Sequence, residues 1–291
     1  MLSIVCCSID PDAANVLRKN IESTIGDIPF ELIVFDNREA NRGICEVYNL
    51  CAGKAKYNYL CFVHEDVCFD SSDWGKSIIE RLGQEDCGVI GFAGCIVKLK
   101  RLTAWDTCYS GLRLNYIQHQ LGGGGRKHYR INPNGVDFAP VVTLDGLCLF
   151  VRRNVWAEVL FDEQRFTRFH CYDIDFTLSV ASRYRNYVCN TVLVEHFSEG
   201  SFSEEWFGYL KILHEKWEDK LPLYIKEDVF PSQLKAYDRL GEAKFIKLLI
   251  RKGLFSHCGL PDILAYCRKY PFYLKSWLLY FKYLKYRWRY R

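Results

Sequence analysis

The first 63 residues alternate short apolar runs with segments of helical periodicity, and this alternation constrains the fold more than any other feature. Leu2 to Ile9 reads as a buried strand. Asp10-Pro11 supplies an N-cap and a first-turn proline, and Ala13, Val16, Leu17, Ile21, Thr24 and Ile25 fall on one helical face that Gly26 ends. A second strand, Phe30 to Phe35, stops at Asp36-Asn37. Ile44, Val47, Tyr48 and Cys51 recur at helical spacing before Gly53, and Tyr57 to Val63 is a third strand running into His64-Glu65-Asp66. Wholly apolar strands separated by helices are covered on both faces, which predicts an α/β fold with a mainly parallel mixed sheet flanked by helices.

Downstream, Ser71-Ser72-Asp73 can cap a helix over Trp74 to Leu82, and Cys87 to Val97 and Val141 to Val151 read as strands. Arg153 to Leu160 and Tyr172 to Tyr184 read as helices, and Tyr187 to Glu195 as a strand delivering His196. Residues 98–140 are weakly patterned. The Gly122 to Gly125 run there lacks the Lys-Ser/Thr and the strand-to-helix setting of a phosphate loop, so a flexible loop over the sheet edge is expected. Phe197 to Ser203 is a hinge candidate ahead of a helix with Trp206, Leu210, Leu213 and Trp217 on one face, and beyond Pro222 the pattern is helical. The expected division is an α/β domain over residues 1–203 and a helical C-terminal extension over 204–291.

At 291 residues, 49% hydrophobic and 25% charged, the chain can bury a large core, which excludes a disordered or low-complexity protein. Fourteen cysteines lie mostly inside apolar runs and form no C-x-x-C pair, so reduced, buried thiols are expected rather than disulfides or structural zinc. The sequence shows neither a long apolar span nor a basic leader, and a cytoplasmic protein is expected. The net charge of +4 is unevenly placed: residues 268–291 hold eight Lys or Arg and no acid, and the remaining 31 basic and 35 acidic residues leave −4. Ten of those 24 residues are aromatic, a composition suited to the inner face of a membrane. Leu274, Trp277, Leu278, Phe281, Leu284 and Trp288 share a helical stripe, so residues 271–291 are expected to lie on a membrane surface, with docking on the domain or a second subunit as the alternative. The acidic remainder makes a nucleic-acid partner unattractive.

In open α/β sheets ligands bind beyond the carboxyl ends of the strands. Asp36, Glu65, Asp66 and His196 all fall at such ends, and Asp173 opens a later helix. Negative charge concentrated at one rim needs a compensating cation, and carboxylates with one imidazole suit Mn²⁺ or Mg²⁺ bridging to a diphosphate. Taken singly, each residue is as well explained by loop capping or a hydrogen-bonded sheet-end histidine; their shared placement favours a site. Trp105, Asp106, Arg126, His128 and Tyr129 have side chains that suit a sugar acceptor, although exposed loop residues of these types are commoner than ligands. The cysteines and Ser8 need not be nucleophiles.

Over about residues 1–203 the chain resembles the family 2-like glycosyltransferases with a GT-A (Rossmann-like) fold, particularly the subgroup related to the StrF protein of streptomycin biosynthesis. The resemblance rests on the order of Leu32-Ile33-Val34-Phe35-Asp36-Asn37, Asn41-Arg42-Gly43 with Tyr48-Asn49, and Tyr59 through His64-Glu65-Asp66-Val67. Leu144-Asp145-Gly146 follows, then Phe161-Asp162-Glu163 and Tyr172-Asp173-Ile174-Asp175. The resemblance implies inverting, metal-assisted transfer of a sugar from a nucleotide-sugar donor, a UDP-sugar by preference, to an acceptor hydroxyl. The acceptor would be a glycan or lipid-linked, in surface polysaccharide or glycolipid assembly. Ser8, Asp36, Glu65 and Asp66 would bind the donor, with Asp36 facing the nucleobase. Asp66 and His196 would hold the metal, Asp173 would be the general base, and Asp145 and Trp105 would bind the acceptor. Two positions depart from the family pattern. Val63 or His64 stands where the first acid of the metal-binding D-x-D belongs, and Tyr172 replaces the Glu of the E-D pair. A noncatalytic nucleotide-binding or membrane-associated module on a degenerate fold of this type is the competing reading.

Overall fold

A computed structural model describes residues 1–119, 125–198, 200 and 202–289. The chain begins β1 (Leu2–Ser8), α1 (Pro11–Thr24), β2 (Phe30–Asp36), α2 (Ile44–Lys54), β3 (Tyr59–Val63), as its alternating pattern requires. Asp10 caps α1 by accepting from Asp12 N and Ala13 N. The helix buries Ala14, Leu17 and Ile21, whereas Val16, expected on that face, is 57% exposed. There follow β4 (Val67–Phe69), α3 (Trp74–Leu82), β5 (Cys87–Gly91), β6 (Ala93–Cys95), β7 (Val97–Lys98), β8 (Leu112–His119) and β9 (Arg126–Ile131). Asp73 does not cap α3 with its side chain; it takes a left-handed conformation at φ 54°, and Ser71 Oγ instead accepts from Leu193 N. The loop expected for Gly122 to Gly125 lies, but for Gly125, outside the described residues, as do two positions of the hinge expected at Phe197 to Ser203.

The second half runs β10 (Phe138–Val141), β11 (Thr143–Leu144), β12 (Cys148–Arg152), α4 (Arg153–Val159), α5 (Tyr172–Ala181), β13 (Arg185–Cys189), β14 (Val194–His196) and α6 (Glu204–Trp217). Beyond Pro222 the chain is not helical at once, because β15 (Leu223–Tyr224) first pairs with β7. Helices α7 (Leu234–Lys252), α8 (Leu260–Lys269) and α9 (Leu274–Arg289) complete it.

The main sheet has the order β10-β13-β5-β12-β3-β1-β2. β1 is parallel to β2 and β3, and β13 to β5, while β12 runs antiparallel between β3 and β5. A second sheet has the order β11-β6-β8-β14-β4, with β9 on β8. Three sequence runs read as single strands, Cys87 to Val97, Val141 to Val151 and Tyr187 to Glu195, are split between the two sheets: β5 passes to β6, β11 to β12, and β13 to β14. At the β5–β6 crossing Gly94 permits the close approach of β11, because an added Cβ there would meet Thr143 O at 2.6 Å. The core is continuous through both sheets. Leu60, Cys61, Phe62 and Val63 are fully buried, each large side chain contributing about 1.5–3 kcal/mol. All fourteen cysteines are free, and twelve are buried, as their apolar settings predict. Among the described residues, no helix is long and apolar enough to cross a membrane.

Candidate active site

The C-terminal ends of β1, β2 and β3 share one rim, since Ser8 registers with Asp36 and Cys6 with Val63. At that rim the Glu65 carboxylate closes the turn after β1: its Oε2 accepts from Ser8 Oγ, Ile9 N and Asp10 N. Asp36 is exposed and held by Arg38, whose Nε and Nη2 donate at 2.9 and 2.6 Å; that guanidinium lowers the Asp36 pKa to about 2.

The pairing of β4 with β14 sets His196 opposite Val67, so Asp66, one residue earlier, meets the imidazole: His196 Nε2 stands 3.6 Å from Asp66 Oδ1. His64, at the end of β3, completes a triad in which each residue of His64, Asp66 and His196 offers a ligand atom within 4.8 Å of the others. Neighbouring hydrogen bonds fix both rings. Gln118 donates its amide to the carbonyls of His119, His196 and Ser198, which turns Oε1 towards His196 Nδ1 at 3.2 Å. Nδ1 therefore carries the proton and Nε2 is the unprotonated nitrogen, with Ser198 Oγ 3.4 Å away. Tyr172 Oη lies 2.7 Å from His64 Nε2 and 3.1 Å from Gly146 O. The carbonyl only accepts, so the phenol donates to it and receives from His64 Nε2, leaving Nδ1 bare. Burial, then the nearby His196, lowers the His64 pKa to about 4, so this ring is a neutral donor of a lone pair. Two imidazoles and a carboxylate fit a divalent transition ion. The second imidazole, which the sequence reading treated as a lost acid, moves the donor set away from the all-oxygen surroundings Mg²⁺ favours.

Next to the triad, Asp145 and Asp173 flank Gly146. Gly146 N donates to Asp173 Oδ2 at 3.0 Å, and Leu147 N to Asp145 Oδ1 at 3.1 Å. A Cβ on Gly146 would collide with Tyr172 Oη and approach Asp173 Cβ at 3.0 Å, so only glycine admits this contact. Burial raises Asp173 to about 6 against its backbone hydrogen bonds, and burial followed by the Asp173 charge raises Asp145 to about 6. Asp173 lies in the first turn of α5, where the cap residue is Cys171. Asp175, in the same turn, is structural: Lys216 Nζ and Trp217 Nε1 bind it at 2.8 Å each, locking α6 onto α5.

A cavity of about 470 Å³ gathers His64, Trp105, Asp145, Asp173 and His196 among its lining residues. Ser8, Asp36, Glu65 and Asp66 are outside that lining; Asp66 reaches it through His196. Trp105, Phe169, Phe202 and Trp206 give it aromatic walls. Trp105 is held on a loop fixed from beneath, where buried Lys98 Nζ binds the carbonyls of Thr103 and Ala104 and Thr143 Oγ1 donates to Trp105 O at 3.0 Å. Desolvation lowers the Lys98 pKa to about 8. Asp106 also lines the cavity and pairs with Lys244 of α7. Arg126, His128 and Tyr129 do not line it: they engage Asp70 and Glu195, Asn115, and the Tyr116 ring on β8 and β9. Sequence reasoning missed His64 and Tyr172 as working residues, although the H-x-D spacing offered a signal. It missed Gln118, Phe202 and Lys98 because no periodicity places them near the rim.

No curated protein sequence matches the chain. Among solved structures, TarS 1-349 of S. aureus in complex with UDP-GlcNAc aligns with a TM-score of 0.51 at 13% identity, covering 98% of this chain and 91% of that one. GalNAc-T7 with UDP, GalNAc and Mn²⁺ aligns at 0.50 and 12%, covering 81% of this chain and 53% of that one, so the chain spans about half the length of that protein. At such identities the likeness is one of fold, the GT-A arrangement of a mixed sheet between helices. A family model described as a glycosyltransferase-like family matches residues 4–214. With that match over most of its length, the chain belongs to the glycosyltransferase-like family.

Proposed function

We propose that the chain transfers a sugar from a nucleoside-diphosphate sugar to an acceptor hydroxyl in a single displacement that inverts the anomeric carbon. The observation that carries this reading is the meeting of the His64-Asp66-His196 triad with the Asp145-Asp173 pair at one aromatic-walled cavity. TarS and GalNAc-T7, which share the fold, are seen with UDP-GlcNAc and with UDP and Mn²⁺, which supports a UDP-sugar donor and Mn²⁺ over Mg²⁺.

The residues divide the work by their chemistry. Asp36 sits at the exposed nucleoside end of the rim, and Glu65 keeps the Ser8 to Asp10 turn in place beside it. His64, Asp66 and His196 would hold the metal, which when bound would supply positive charge against the departing diphosphate. Asp173, with a pKa near 6, is ionised at neutral pH yet basic enough to take the acceptor proton. Asp145 orients the acceptor, and Trp105 offers a face on which a sugar ring stacks. A glycan or lipid-linked acceptor of surface polysaccharide or glycolipid assembly fits such a cavity.

Calorimetric binding of UDP, GDP, CDP and dTDP with and without Mn²⁺, to wild type and Asp66→Ala, tests the reading. Mn²⁺-dependent binding of one nucleotide, lost in the variant, is expected. Binding of none would overturn it, and binding without transfer to any acceptor would identify a noncatalytic module.

A further inference from the structure

Helix α9 has two apolar faces, and the fold covers only one. Ser276, Leu279 and Tyr283 are buried on the side facing α7 and α8, where Cys267 Sγ donates to Ser276 O and Phe255 meets Tyr283 edge-on with centroids 5.7 Å apart. At about 100° per residue, the other face is centred roughly 150° away. It is made of Leu274, Trp277, Leu278, Phe281, Leu284 and Trp288, which are 44% to 83% exposed. A continuous apolar stripe of this kind marks an interaction surface.

Charge identifies what it meets. Lys275, Lys282 and Arg289 line one flank of the stripe, Lys285 lies within it, and no acid occurs anywhere in residues 268–291. On α7, burial and then the Lys282 and Arg251 cations lower the pKa of Lys247, so positive charge is crowded beside the stripe. A second copy of the helix would bring the same cations together, an arrangement that repels. A surface offering both hydrocarbon and anions satisfies the apolar stripe and its flank at once, and aromatic rings favour the depth where the two meet.

We propose that α9 lies flat on an anionic lipid bilayer, with Trp277, Phe281 and Trp288 in the interfacial layer and Lys275, Lys282 and Arg289 on lipid phosphates. This surface shares no residue with the cavity or the His64-Asp66-His196 triad, so it stands whether or not the transfer reaction does.

The test is sedimentation of the full chain with vesicles of phosphatidylcholine alone or mixed with phosphatidylglycerol, at low and high salt. Binding at least about tenfold tighter to the anionic vesicles and weakened by salt is expected. The pair Phe281→Ser and Trp288→Ser should abolish it. Lys275→Glu with Lys282→Glu should weaken it by about tenfold or more. Unchanged thermal unfolding of each variant shows that α9 is still folded. Wild type remaining in the supernatant with anionic vesicles, or binding indifferent to these substitutions, would overturn the proposal. So would a concentration-dependent dimer that the apolar pair abolishes while no vesicle binds, which would assign the stripe to a second copy.

Discussion

Asp173 links the chemistry to pH. Its folded pKa of about 6 lies above the ordinary aspartate value of 3.8 because burial disfavours its charge. A carboxylate raised in this way contributes stability below pH 3.8 that is lost as pH rises through 6, so at neutral pH its ionised form costs the fold. Asp173→Asn removes that cost and, with it, the base of the proposed transfer. We expect transfer to fall by at least about 100-fold while nucleotide binding persists, as calorimetry would show. Chemical denaturation at pH 7.5 should find the variant more stable by about 1–2 kcal/mol, a gain that shrinks towards pH 4. Wild-type transfer should decline below about pH 6 as the base protonates. Tyr172 touches His64 of the proposed metal triad. Tyr172→Phe removes the acceptor that holds His64 Nε2–H, and we expect Mn²⁺ affinity to drop about tenfold, read by calorimetry of Mn²⁺ alone, with a loss of about 1–2 kcal/mol in unfolding. His64 and Tyr172, which both stand in or beside the two motif positions that depart from the family pattern, touch each other at 2.7 Å.

Among the elements, α5 and α6 have to stay in register for Asp173 to point into the cavity. Asp175 does this by receiving Lys216 and Trp217 while only 1% exposed. Asp175→Ala would leave the buried Trp217 indole N–H without its partner and Lys216 Nζ with Asp162 alone, and a loss of about 2 kcal/mol in urea unfolding is expected. The motif residues Asn49, Phe161 and Glu163 work the same way: Asn49 Nδ2 donates to Phe161 O and Glu163 Oε2, and Asn49 Oδ1 accepts from Phe161 N. Such residues read as candidates for chemistry in a sequence, because a polar side chain at fixed spacing looks alike whether it binds substrate or backbone. The split strands were illegible for a related reason. An apolar run records burial, and the runs at 87–97 and 187–196 are buried in two different sheets, so hydrophobicity alone shows no break.

Taken whole, the molecule builds its site from distant stretches of chain. Helix α6 supplies Trp206 to the cavity wall, and α7 grips the Trp105-Asp106 loop through Lys244 to Asp106 and through Arg101, which pairs with Asp238 and Glu242 at 3.1 Å. Ending the chain at residue 233 should therefore raise the acceptor KM several-fold and lower Tm by about 5 °C or more, measured by steady-state kinetics and scanning calorimetry, since the loop loses its clamp. The sequence by itself determined the α/β class, the strand ends at Asp36 and His196, and the basic aromatic helix, because periodicity and turn residues act over a few positions. Only the tertiary structure decided that His64 joins Asp66 and His196, that Gln118 and Tyr172 set the imidazole tautomers, and that Glu65 closes a turn. Those outcomes depend on hydrogen bonds between residues 50 to more than 100 positions apart, which strand pairing creates and no local pattern records.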